Sequence, residues 1–346
     1  MVSLLDVARR SRVSAATVSR VINHPERVAR ATRERVEQAI RELGYRPSRV
    51  ARRLRVERGP SRLIGVLLSD IQNPFFADLA RGVEDVAHAR GYAVLLGNSD
   101  EDEAKARRYV EVMRAELVDG VILPPTSDRD EAAIELARSG APLVCVDRRL
   151  GRESVDSVLI DNVRGAYDAT SHLIRLGHRR IAFIEGLPRI STSRERLDGY
   201  TQALVEHGIE PDAALVRQGD SRQGGGRRMT EALLGLPDPP TALLVGNNLM
   251  TLGALEAVHG RGLRIPDDVA VVGYDDMPWA LAFDPPLTAV RQSGYEVGRR
   301  AAELLFQRLD EPGRSTTVVL LQPELVVRGS CGAVVGRDAP QPALTP

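Results

Sequence analysis

Along this 346-residue chain the spacing of apolar positions changes character near residue 60. Before that point, apolar residues recur three and four apart in three short blocks. The first holds Leu4, Leu5, Val7 and Ala8, the second Val18, Val21 and Ile22, and the third Val36, Ile40 and Leu43. Such spacing predicts three amphipathic helices, each offering one face to a shared core. Helix punctuation separates them: a break at Ser11-Arg12-Val13, Ser14 as cap of the second helix, and His24-Pro25 as its stop. The third helix is expected from about Thr32 to Leu43, closed by Gly44. Three short helices with a tight turn between the first two make a small all-α helix-turn-helix head.

After Gly59-Pro60, short apolar runs alternate with amphipathic stretches. Strands are expected at 63–68, 93–96, 121–123 and 143–146, and again at 181–184, 215–218, 242–245 and 269–272, with helices between them. A strand at 287–290, a helix at 294–309 and strands at 317–321 and 325–327 follow. Regular alternation of this kind implies parallel sheets covered by helices on both faces. There are too many units for one sheet. The expectation is an α/β body of two doubly wound parallel-sheet lobes joined near Asp161, with the last helix returning to complete the first lobe. The implied limits are a head at 1–47, a hinge and linker at 48–61, a first lobe at 62–161 plus 292–323, a second at 162–291 plus 324–332, and a flexible tail at 333–346.

Charge sharpens this division. The net charge is zero, yet residues 1–60 hold 15 arginines, no lysine and six acidic residues, a net +9. The other 286 residues hold 32 basic and 41 acidic residues, a net −9. A basic helical block beside an acidic body suggests a nucleic-acid module attached to something that does not bind DNA. Apolar runs reach only about six residues, too short to span a bilayer. The amino terminus lacks the features of an export signal, which points to the cytoplasm. Cys145 and Cys331 are too few for a disulfide framework. Lys105, the sole lysine, lies in no phosphate-binding loop, and neither Gly-x-Ser-x-Gly nor His-Glu-x-x-His occurs. Catalysis is therefore not expected, and neither a cofactor nor a metal is called for.

In a helix-turn-helix unit the second helix enters the major groove. Small Ala15 and Ala16 permit close approach to thymine methyls, and Arg20 can fork its hydrogen bonds to guanine. Ser14, Thr17, Ser19 and Asn23 suit phosphate oxygens. In the body, ligands of such folds bind at the carboxyl ends of strands. Those ends carry Asp70 and Phe75 after the first strand, then Arg148, Asn247 and Asp275 after later ones, while Arg196 opens a helix. Phe75 is expected to stack on a ligand and Phe76 to enter the core. Arginine, asparagine and aspartate converging on an aromatic ring can bind a polyol, whose hydroxyls need donors and acceptors alike.

Leu4-Leu5-Asp6-Val7-Ala8 followed by Val13 through Asn23, and Thr32-Arg33 leading to Gly44-Tyr45-Arg46-Pro47, resembles the DNA-binding head of the lactose/galactose repressor (LacI/GalR) family. Similar family segments in the body are Asn73-Pro74-Phe75-Phe76, Val146-Asp147-Arg148, Arg196-Leu197-Asp198-Gly199-Tyr200 and Val271-Val272-Gly273-Tyr274-Asp275-Asp276. The likeness covers roughly residues 2–328. It implies a periplasmic-binding-protein-like body and base-reading positions at Ala15, Ala16 and Arg20. Residues 48–54 become a hinge helix whose Leu54 wedges into the minor groove, and Tyr45 and Arg49 join the phosphate contacts. Arg196, Asn247 and Asp275 fall at the family's effector contacts, with Phe75 and Arg148 as first-lobe partners and Gln292 near a lobe crossing.

Four positions depart from the family pattern: Ala29 stands for a Ser cap, Ser48 for an Asn, Ser221 for an aromatic and Asn248 for an Asp. Trp279 is expected either to replace the missing aromatic wall or to serve in packing. Ser221 and Ile190 lack groups to grip a purine. The resemblance implies a homodimeric, nucleoid-associated repressor of a carbohydrate-metabolism operon. It would bind palindromic double-stranded operator DNA under control of a sugar, sugar acid or sugar phosphate. A protein co-regulator as effector, or a sugar-binding protein with no regulatory role, remain as alternatives.

Overall fold

The computed structural model describes residues 2–45 and 60–333. The chain divides into two compact units, a head within residues 1–61 and a body from residue 62 onward. The proposed hinge residues Arg49 and Leu54, and most of the tail, lie outside the described residues.

The head consists of α1 (Leu4–Ser11), α2 (Ala15–Asn23) and α3 (Arg30–Leu43), with a single 3-10 turn at Pro25–Arg27. A capping box starts α1: the Ser3 hydroxyl accepts from the Asp6 amide, and the Asp6 carboxylate accepts from the Ser3 amide. Arg12 adopts a left-handed conformation (φ 54°), which makes the tight turn into α2. Ser14 caps α2 by accepting from Thr17 N at 3.1 Å. α3 begins two residues earlier than its apolar stripe suggests, and Ala29 supplies no side-chain cap. Gly44 closes it at φ 61°, the conformation that favours glycine. Val7, Val18, Val21, Val36, Ala39 and Tyr45 bury themselves in the shared core.

The body contains two six-stranded sheets. The first is built from β1 (Leu63–Leu68), β2 (Ala93–Asn98), β3 (Gly120–Leu123), β4 (Leu143–Val146), β5 (Asp156–Ile160) and, from the far end of the chain, β11 (Val318–Leu321). Its order is β11-β5-β4-β3-β1-β2, and all of its pairings are parallel. The second contains β6 (Ile181–Glu185), β7 (Val216–Gln218), β8 (Ala242–Val245), β9 (Ala270–Tyr274), β10 (Thr288–Arg291) and β12 (Glu324–Val326). Its order is β12-β10-β9-β8-β6-β7, parallel except where β12 runs against β10 at the edge. The chain passes between sheets after β5, after β10 and between β11 and β12.

Helices α4 (Pro74–Ala89), α5 (Glu103–Ala115), α6 (Glu131–Arg138) and α11 (Gly294–Asp310) flank the first sheet; α7 (Asn162–Arg175), α8 (Ser191–Glu206), α9 (Gln223–Leu234) and α10 (Asn248–Gly260) flank the second. Each sheet is apolar on both faces, with two core clusters per lobe. The apolar pattern missed β5, because its first two residues, Asp156 and Ser157, are polar. Asp156 is fully buried there, paired with Arg308 at 2.9 Å and Arg314 at 3.3 Å and accepting from Thr317 N at 2.7 Å. Both cysteines are free and buried.

Candidate functional site

In each sheet the strand order reverses once, at β1 in the first and β6 in the second, which opens a crevice beyond the carboxyl ends of neighbouring strands. The two crevices face one another across a cleft with about 640 Å³ of space, open in part to solvent. Its walls come from the turns after β1 (Asp70, Asn73, Phe75, Phe76), β2 (Glu101) and β4 (Asp147, Arg148) in the first lobe. Across from them stand the turns after β6, β7, β8 and β9, including Ser221, Asn247 and Asp275, with Arg196 on the first turns of α8. Gln292, on the crossing after β10, completes the wall.

Arg196 lies at the centre, 7 % exposed. Its Nε donates to Asn162 Oδ1 at 2.8 Å, one Nη donates to the Gly246 carbonyl at 2.5 Å, and its plane stacks 3.8 Å from the Tyr274 ring centroid. Asp147 and Asp275 occupy equivalent places in the two lobes, each directly after a central strand and each in a left-handed conformation (φ 65° and 69°). Aspartate and asparagine are among the few residues that tolerate this geometry without glycine. Burial raises both carboxyls above their ordinary value and outweighs the Arg196 guanidinium near each. Asp275 accepts from Gln292 and from Asn248 N. The other end of the Gln292 amide, Oε1, is buried with no partner in the structure.

Polar contacts join the lobes beside the cleft. Phe75 N donates to Asn73 Oδ1 at 3.0 Å, which orients that amide as an acceptor. Asn248 Nδ2 donates to the same oxygen at 2.7 Å. An aspartate at 248 would set two acceptors against each other, so the asparagine that departs from the family pattern serves this contact. The first turn of α8 and the segment before it reach over as well. Arg194 pairs with Asp128 at 2.5 Å, and Arg189 donates to the Glu101 carbonyl at 2.6 Å.

Seven expected effector residues, Asp70, Phe75, Arg148, Arg196, Asn247, Asp275 and Gln292, line the same cleft. Trp279 does not. It sits in a 3-10 turn (Pro278–Ala282), packed edge-on to Phe283 at 5.5 Å against a core of the second lobe. The division between a stacking Phe75 and a core Phe76 is absent too: both border the cleft, and both are buried in the first-lobe core, edge to face at 5.2 Å. Asn247 is held at both ends of its amide, capping α10 through Met250 N and donating to the Ser221 carbonyl. Sequence reasoning passed over Glu101, which hides in the acidic run Asp100-Glu101-Asp102-Glu103 that leads into α5. The available signal was its place directly beyond β2.

In the head, Ala16 and Arg20 are exposed, and Arg20 has no ion pair among the described residues. Most neighbouring arginines are paired, as Arg10 with Glu42 and Arg30 with Glu34. The Ser14 and Thr17 hydroxyls lie 2.9 Å apart, so both take part in the cap of α2. Ala15 is partly buried against the core. Tyr45, expected on phosphate, is 8 % exposed and packs within the head's core.

A three-helix head with an exposed arginine on its second helix, joined in sequence to a two-lobed α/β body with a polar cleft, defines a DNA-binding transcriptional regulator with a periplasmic-binding-protein-like core. Comparisons agree. Residues 3–48 match the family model described as bacterial regulatory proteins, lacI family, and residues 170–331 match the periplasmic binding protein-like domain. The chain is 36% identical over 332 residues to the HTH-type transcriptional repressor CytR of Escherichia coli (strain K12), covering 96% of this chain and 97% of that protein. It is 33% identical over 331 residues to the repressor PurR of Aliivibrio salmonicida (strain LFI1238), covering 95% and 99%. Among solved structures, the Lac repressor dimer bound to operator and the anti-inducer ONPF matches with a TM-score of 0.81 at 32% identity, over 96% of this chain and 99% of that one. The regulator CelR in complex with cellobiose matches at 0.73 and 36%, over 95% and 100%. The chain belongs to the lacI family of bacterial regulatory proteins, and its relatives are transcriptional repressors, not enzymes. Among the described residues no helix is long and apolar enough to cross a membrane.

Proposed function

We propose that this regulator represses a carbohydrate-metabolism operon in the cytoplasm, binding a palindromic operator as a homodimer and responding to a small sugar-like effector held between its lobes. The observation that carries this reading is the cleft, where hydrogen-bonding side chains from the strand ends of both lobes meet Arg196. A ligand bridging the lobes there gains contacts only when they are correctly spaced, which couples occupancy to lobe arrangement. A palindrome requires two heads, hence the dimer. The cellobiose and ONPF complexes of relatives support a sugar-like ligand.

Selection from random duplexes tests the reading. The full chain should recover a palindrome, bound as a dimer with affinity that falls steeply with salt. Arg20→Ala should lose about 1–3 kcal/mol of discrimination between that palindrome and scrambled DNA. An enriched single half-site bound by one subunit, or unaltered discrimination in Arg20→Ala, would contradict it.

A further inference from the structure

The cleft's charge balance says more about the effector than its shape does. Five carboxylates border it, Asp70, Glu101, Asp147, Asp220 and Asp275, against the three arginines 148, 196 and 222. Two of those arginines are already committed. Arg148 is 6 % exposed and donates from both Nη atoms to both oxygens of Glu101, at 2.8 and 2.6 Å, and from Nη1 to the Pro125 carbonyl at 3.2 Å. Its Nε lies 3.2 Å from Asp147. Arg196 gives its Nε to Asn162 and one Nη to the Gly246 carbonyl, and lies against the Tyr274 ring. Arg222 is exposed at the rim.

The side of Arg148 that would fork onto an incoming anion is therefore filled by the protein's own carboxylate. The backbone is arranged to hold it there. Asp100 and Glu101 are consecutive non-glycine residues at φ 52° and 61°, a conformation that costs free energy at each. Asn98 and Lys105 bind the Asp100 carboxylate from either side, and Arg189 of the second lobe holds the Glu101 carbonyl. Among the acceptors left for a ligand are the unpartnered Oε1 of Gln292 and the Asp147 carboxylate, one oxygen of which faces Arg148 Nε.

We propose that Glu101 sets the charge of the effector: by occupying Arg148 it makes the cleft select hydroxyl- or amine-bearing ligands that are neutral or cationic, and reject those carrying a carboxylate or phosphate. This rests on the cleft being an effector site. It removes two of the three ligand classes expected from sequence, the sugar acids and sugar phosphates. Either class would need Arg148 or Arg196 free to meet its anion.

The test is thermal shift followed by calorimetry on the full chain. The panel matches each neutral sugar with its amino, uronic-acid and phosphorylated forms. Binding should be confined to neutral or amino members, with the anionic counterpart of any hit at least tenfold weaker. Glu101→Gln should narrow or invert that ratio by releasing Arg148, whereas the double variant Glu101→Gln/Arg148→Gln should not gain anion binding. Equal or tighter binding of an anionic member by the native chain overturns the charge assignment alone. An unchanged ratio in a folded Glu101→Gln does the same. Silence of the whole panel instead overturns the effector reading, and this inference with it.

Discussion

Asp147 shows how a single residue can lower stability in the service of a site. It is 6 % exposed, in a left-handed conformation, and burial lifts its carboxyl above the ordinary 3.8 although Arg148 and Arg196 both favour the ionised form. Because the folded state holds this proton more tightly than the unfolded chain does, the group's stabilising contribution is complete below the unfolded value. It is lost as pH rises through the raised one, so at neutral pH the ionised carboxylate is a net cost. Asparagine keeps the shape and tolerates the same backbone. Asp147→Asn should therefore raise the melting temperature at pH 7, by a margin that shrinks as pH falls toward about 4, while weakening effector binding. A lower melting temperature at pH 7 would show that the ion pairs outweigh burial. Asp275 is likewise buried and left-handed in the other lobe, but it also accepts two hydrogen bonds, so it is the poorer probe.

Among elements, the helix pairs are set by glycines at which backbones touch. A Cβ on Gly298 of α11 would lie 2.0 Å from the Leu79 carbonyl oxygen of α4, and one on Gly82 of α4 would lie 2.1 Å from that of Tyr295 on α11. The second lobe repeats the device between α9 and α10 through Gly226 and Gly253, and between α7 and α8 through Gly199. These contacts are with backbone, which cannot swing aside as a side chain can. Gly298→Ala should force α4 and α11 apart and cost the body about 1–3 kcal/mol of stability, read as a lower urea midpoint. An unmoved midpoint would mean the helices slide at no cost. Elements of this kind were largely legible in the sequence, because stripes such as Leu79 and Val83 repeat with the helical period and buried strands such as Leu143–Val146 are continuously apolar. Helix starts were less legible. α8 and α9 open on Ser191-Thr192-Ser193 and Gln223-Gly224-Gly225, polar first turns that carry no apolar signal. β5 was hidden for the related reason that Asp156 becomes apolar-compatible only through arginines more than 150 residues away.

For the whole molecule, the position of the cleft was readable, since a ligand site in alternating β and α units falls at strand ends. Its internal pairings were not. Periodicity cannot tell that Glu101 closes on Arg148 or that Asn248 reaches Asn73 in the other lobe, because these bonds join residues 47 and 175 positions apart. Periodicity left Trp279 open between a cleft wall and a packing role for the same reason: its loop follows a strand end, while its ring packs against the lobe's own core. In the proposed function, this cleft and the DNA-reading helix share one free-energy balance. Linkage then requires that effector change operator affinity, and that operator change effector affinity by the same factor. The most direct measurement is calorimetric titration of effector into the full chain, with and without saturating operator at one fixed salt concentration, alongside operator affinity with and without effector. Two equal factors are expected, in the range of about 5–150-fold. Effector binding at identical affinity in the presence and absence of operator would contradict that expectation.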